Sequence, residues 1–128
     1  MRKLVPLVLV GALVLTADLA GAKAAEPEAS VKKTLDNLLS AIQANDRKAV
    51  VANATDAVKE AVTEESVENL SKTLGTRLKK GYEAIYLGQL KQSGVRVHLW
   101  KMTFKDGGDD ALIRLALKDG KINGFFIQ

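Results

Sequence analysis

His98, the only histidine among the 128 residues, stands two positions after Arg96 and two before Trp100. In an extended strand these three side chains share one face, because successive residues alternate. Met102 continues the row, and Gln89 joins it across the preceding Ser93-Gly94 pair if that turn is tight. Together they form a candidate wall of a ligand pocket. His98, Arg96 and Gln89 would meet a polar or anionic group, while Trp100 and Met102 supply apolar contact. The same pattern also describes a histidine satisfied at a core edge, an arginine solvated at a strand end, and large apolar residues alternating as core residues do. As a general base His98 needs an orienting acid, and only Glu83 and helix residues could supply one.

Other chemistry-bearing residues read as solvated ends of elements. Glu64, Glu65 and Glu68 suit a helix terminus better than a paired-carboxylate site. Asp106, Asp109 and Asp110 surround Gly107-Gly108 without the ligand spacing of a calcium loop. There is no glycine-rich phosphate loop, Ser–His–Asp order or zinc spacing. With no cysteine there is neither a disulfide framework nor thiol chemistry. No metal and no cofactor is expected.

The elements that must carry these residues divide at position 82. Before it the apolar period is helical. Residues 25–29 form a short lead, Ser30 caps a helix, and Val31, Leu35, Leu38, Leu39 and Ile42 recur on one face. Asp46 caps a shorter helix, residues 53–62 are either helix or ordered loop, and Thr63 caps a third helix. That helix carries Val67, Leu70, Leu74 and Leu78 and ends at Gly81. From Tyr82 the period becomes two, over 82–91, 95–105, 110–118 and 121–128. Ser93-Gly94, Gly107-Gly108 and Asp119-Gly120 each suit a two-residue turn. Helices followed by strands predict an α+β domain, with about three helices packed on one face of a four-stranded antiparallel meander.

Tight turns would fix the register and hence the faces. Pairing back from Asp119-Gly120 and Gly107-Gly108 gathers His98, Trp100, Met102, Phe104, Ile113, Leu115, Leu117, Ile122 and Phe126 under the helices. Ile85 and Leu87 would join them. Val97, Leu99, Leu112, Phe125 and Ile127 fall on the opposite face with Tyr82 and Tyr86. That face is apolar for one open to water, which predicts a second copy of the chain as its cover.

The first 24 residues read as a secretory leader, with Arg2-Lys3, an apolar run from Leu4 to Ala17, and Ala22-Lys23-Ala24 as the cleavage site. The run is shorter than the ~20 residues of a membrane span. A retained anchor is the alternative. Cleavage after Ala24 leaves 104 residues and lowers the net charge from +4 to +2, because three cations and one anion depart. Such a near-neutral, mixed distribution offers no footprint for nucleic acid. The expected product is a soluble exported protein, periplasmic or secreted, without a membrane span.

The helix ending in "AIQANDRKAVV", the capped helix ending at Gly81, and the meander closing on "LKDGKINGFFIQ" resemble the nuclear transport factor two-like superfamily. This is the cystatin-like α+β cone shared with ketosteroid isomerases and polyketide cyclases, and the likeness spans residues 30–128. It implies a pocket between helices and sheet and a dimer through the outer sheet face. The acid–base sets of the enzymatic members find no match here, since the inner strands hold no aspartate and a histidine dyad is impossible. The Q-x-V-x-G hairpin of inhibitory cystatins is also absent. The chain therefore reads as a non-catalytic binding or interaction module for a small apolar or mixed-polarity ligand. Its rivals are an isomerase- or dehydratase-like enzyme using His98, and a purely structural dimeric adaptor.

Overall fold

Residues 26–128 are described in a computed structural model. The expected leader, its cleavage site and Ala25 lie outside them. Helix α1 runs from Ala29 to Gln43 with Glu28 as its N-cap, two residues earlier than a Ser30 cap implies. The carbonyl of Glu28 already accepts from the N–H groups of Val31 and Lys32, so Ala29, a strong helix former, is drawn into the first turn. At the other end Asn45 takes φ +53°. The Asp46 N–H then reaches the Ala41 carbonyl and the Asn45 N–H that of Ile42, a Schellman closure.

Asp46 caps α2, Arg47–Val50, by accepting from the Ala49 N–H at 3.1 Å. Residues 53–62 do contain a helix, α3, Asp56–Ala61, capped by Thr55. Thr63 caps α4, Glu64–Leu70, in a reciprocal box with Ser66. The helical path continues through a π turn, Ser71–Gly75, into α5, Thr76–Lys79. A side chain on Gly75 would approach the Ile42 carbonyl to 3.3 Å, so this turn is where α1 and the 64–79 helix come closest. The Thr73 and Thr76 hydroxyls donate back to Asn69 and Lys72 carbonyls, the kind of bond that bends a helix.

Strands β1 (Tyr82–Gln92), β2 (Val95–Phe104), β3 (Ala111–Lys118) and β4 (Lys121–Ile127) form one antiparallel sheet in the order of the chain. The fold is thus α+β, helices on one face of a four-stranded meander. Val31, Leu35, Leu38, Leu39 and Ile42 of α1, with Leu74 and Leu78, meet Trp100, Met102, Phe104, Ile113, Leu115, Leu117 and Ile122 in a single core. Among the described residues no helix is long and apolar enough to cross a membrane.

The register departs from the expected one in three places. Ser93-Gly94 and Asp119-Gly120 are the two-residue turns expected, with positive φ at all four residues. Gly107-Gly108 is not. Here the strands stop at Phe104 and Ala111, so Trp100 pairs with Ile113 and His98 with Leu115, two residues from the tight-turn register. A shift of two preserves the faces and also separates Lys101 from Arg114, placing Lys101 opposite Leu112.

The other two departures are bulges, and each reverses a face. Leu87 is an extra residue between the pairs Tyr86–Trp100 and Gly88–Leu99, with Gly88 at φ +135°. Tyr82 and Tyr86 therefore pack on the core, while Ile85 and Leu87 are exposed, the reverse of the tight-turn expectation. Asn123 is extra between the pairs Leu117–Ile122 and Ala116–Gly124. Phe125 and Ile127, expected on the outer face, turn inward against the core, and Phe126 turns out with 58% of its surface exposed. Its ring lies over Gly124 and beside Arg114. Val97, Leu99 and Leu112 keep their outer positions, though Val97 retains only 7% exposure.

Arg77 explains the long β2–β3 connection. Its guanidinium donates to both Asp106 carboxylate oxygens, at 2.7 and 3.2 Å, and to the Asp109 carbonyl at 2.7 Å, while lying 3.8 Å over the Phe104 ring. With the Gly108 N–H, it holds the Asp106 carboxyl down at about 2. A depressed carboxyl contributes stability above its unfolded value of about 3.9 and loses it as pH falls through the folded one. Asp106→Asn is expected to lower the melting temperature at pH 7 and to remove part of the acid destabilisation between about pH 4 and pH 2. Thermal melts across that range check this, and superimposable acid limbs for the two proteins would contradict it.

Candidate functional site

The alternation of β2 brings His98, Trp100 and Met102 to the inner face, as expected, but they do not make one pocket wall. Met102 has no exposed surface and Trp100 has 2%, so both are core residues. Gln89 and Arg96 lie in solvent at the end of the sheet, with Arg96 Nη1 donating to Gln89 Oε1 at 3.4 Å. His98 is 5% exposed, and its Nδ1 shares a 2.8 Å hydrogen bond with the Tyr86 hydroxyl. Tyr86 meets Trp100 edge to face at 5.2 Å between ring centroids.

Of the residues in contact with His98, Tyr86 is the one that lies on the opposite face from that expected. A strict two-residue period from Ser93-Gly94 sends it outward, and only the bulge at Leu87 turns it toward His98. Gly88 was the available signal, since an isolated glycine inside a strand pattern marks such a bulge.

Burial lowers the His98 pKa. The Glu28 carboxylate opposes the shift and Arg96 reinforces it. Burial, with Glu28, raises that of Tyr86. The pair is therefore a neutral imidazole and a neutral phenol at pH 7. Among the described residues no carboxylate hydrogen-bonds His98, and a phenol stands where a histidine base requires an orienting acid. Two clefts flank the pair. One, of about 220 Å³, touches Arg96, His98 and Glu28; the other, of about 400 Å³, touches Trp100, Tyr86 and Lys32.

The apolar space of the molecule lies elsewhere. A cleft of about 500 Å³ opens between α1, α3, α4 and β4. Leu38 and Ile42 form its floor with Ile122 and Phe125, while Val58, Ala61, Val62, Val67 and Leu70 form its walls. Among the described residues none of its lining side chains is titratable, and its polar groups are Ser66 and Asn69 on α4 and Thr73 on the following π turn.

Two features hide this cleft from a reading of the sequence. Phe125 reaches it only because of the Asn123 bulge, and α3 lies in the stretch whose periodicity left helix and loop both open. Val58, Ala61 and Val62, spaced as one face of a short helix, were its local signal.

The wall formed by α3 is anchored at one end chiefly by backbone hydrogen bonds and at the other by an arginine side chain. Ile122 donates to the Asn53 carbonyl at 2.8 Å and accepts from the Thr55 N–H at 2.9 Å. The Asn53 side chain donates to the Gly120 carbonyl at 3.0 Å. At the far end Arg47 donates to the carbonyls of Lys59 and Val62, both at 2.7 Å. These are carbonyls that the C-terminal end of so short a helix leaves without intrahelical partners.

A histidine whose folded pKa is lowered takes up its proton first in the unfolded chain. Its contribution to stability is complete above the unfolded value of about 6.5 and is lost as pH falls below it. The melting temperature is expected to drop between pH 7.5 and pH 5, and His98→Gln to flatten that drop. Scanning calorimetry in this window checks the pair; identical slopes would contradict the buried neutral imidazole.

No protein-family model matches the chain, and no curated protein matches it. Among solved structures the chain is similar to an uncharacterized cystatin fold protein from Novosphingobium aromaticivorans, with 14% identity and a TM-score of 0.42. The likeness covers 75% of this chain and 95% of that one.

Proposed function

We propose that this chain is an exported, non-catalytic binding module of the nuclear transport factor two-like kind, and that its site is the apolar cleft between α1, α3, α4 and β4. The observation that carries this reading is the cleft itself. At about 500 Å³ it falls within the usual range of small-molecule pockets. A domain of this size gains its stability from close packing, and apolar side chains left around an open space forgo contacts they could otherwise make. Support for export comes from the basic start, apolar run and Ala22-Lys23-Ala24 site of the leader.

The Tyr86–His98 hydrogen bond favours the rival reading, an enzyme using His98. The two readings place the ligand at different ends of the sheet and separate in one experiment. Ligand-induced thermal stabilisation by a decyl alcohol probe is expected to fall at least tenfold in apparent affinity for Val62→Trp, whose indole fills the cleft, and to be unchanged for His98→Ala. Loss of binding in His98→Ala with retention in Val62→Trp would move the site to the histidine.

A second copy of the chain is the partner we propose for the outer sheet face. Ile85, Leu87, Leu90 and Phe126 are its exposed apolar residues, each with at least 40% of its surface open. Light scattering is expected to give a dimer at micromolar concentration, and Leu90→Lys with Phe126→Lys a monomer. A monomeric wild type up to high micromolar concentration would remove the proposal.

A further inference from the structure

Resting on the cleft reading above, the chemistry of its mouth narrows the ligand. We infer that the cleft takes an amphiphile with an uncharged polar head, such as an alcohol or a primary amide, and that Asn69 is the residue that reads the head.

The inference follows from which polar groups are free. Ser66 is already engaged: its hydroxyl donates to the Thr63 carbonyl at 2.8 Å and accepts from the Thr63 N–H at 3.0 Å in the capping box of α4. The Thr73 hydroxyl spends its one proton on the Asn69 and Leu70 carbonyls, at 3.0 and 3.3 Å, and keeps only an acceptor lone pair. The Asn69 side chain makes no hydrogen bond within the described residues, so its carboxamide offers both a donor and an acceptor at the cleft edge. A hydroxyl or amide head can satisfy both. A carboxylate can use only the donor, and a quaternary ammonium neither.

The surrounding charges point the same way. Among the described residues no lining side chain carries a charge to offset the desolvation of an ionic head. Glu65 stands one turn before Asn69 on α4, where side chains four apart are neighbours, and its carboxylate disfavours an anion. Of the nearby cations, Lys72 on the following turn is paired with Glu68 at 3.3 Å, and Arg47 is engaged by the Lys59 and Val62 carbonyls, both at 2.7 Å.

The test holds the tail constant and changes the head. Titration calorimetry of the purified protein with decanol, decanamide, decanoate and decyltrimethylammonium is expected to rank the two neutral probes at least tenfold tighter than the two ionic ones. Asn69→Leu is expected to weaken the neutral probes about three- to tenfold, the size of one net hydrogen bond, and to compress the ranking. Asn69→Gln should restore it in part, and thermal melts verify that both variants fold.

Decanoate binding as tightly as decanol would overturn the inference and leave the cleft reading standing. An unchanged ranking in Asn69→Leu would overturn the role of Asn69. Failure of all four probes up to their solubility limits would remove the cleft reading and this inference with it. If cleft methyl resonances then shifted on dilution, a second copy would be the occupant.

Discussion

The backbone of Ile122 is the junction on which the cleft side of the molecule depends. Its side chain is buried in the core and on the cleft floor, and its main chain faces the open edge of β4. A sheet edge leaves such groups unpaired, which is both costly and prone to association. Here residues 53–55 satisfy them, through one bond to Asn53 and one from Thr55. Next to this junction comes the extra residue Asn123, beyond which β4 resumes pairing with β3 one position out of step. That step sends Phe125 and Ile127 inward and Phe126 outward. The same junction fixes the start of α3, so it sets both the floor and one wall of the cleft.

The opposite side of the molecule is organised by packing instead of by an opening. Gly75 lets the 64–79 helix approach α1, and Leu74 and Leu78 then enter the core beside Trp100 and Phe104. Arg77, at the end of that helix, covers Phe104 and holds the β2–β3 loop through Asp106 and Asp109. The two ends of the helix layer thus differ in kind. One is closed by an arginine clasp, and the other is propped open by α3 and held by Arg47.

This division also separates what could be read in the sequence from what could not. Features set within a few residues were legible: the Asp46 and Thr63 caps, the apolar stripe of α1, the two Gly turns, and the inward row of His98, Trp100 and Met102. So was the α+β layering. Illegible features were those decided by distant contacts. Arg77, twenty-nine residues before Asp106, stretches what looks like a tight Gly-Gly turn. Ile122 binds a segment 67–69 residues away, and the bulge beside it reverses three strand positions. The Leu87 bulge had a local sign in Gly88, yet a strict period of two conceals its consequence, the Tyr86–His98 bond. The candidate site moved for the same reason. The residues with the most suggestive chemistry fill a core and its rim, and the apolar cleft lies among plain aliphatic side chains.

The ligand site proposed for this protein lies against Ile122, Phe125 and α3, and not against His98 and Trp100. Nuclear Overhauser contacts from bound decanol to assigned side chains test it most directly. Contacts are expected from the alkyl chain to the methyl groups of Val58, Val62, Leu70 and Ile122 and to the Phe125 ring, with the hydroxyl end near Asn69. Contacts to the Trp100 indole or the His98 ring in place of these would contradict it.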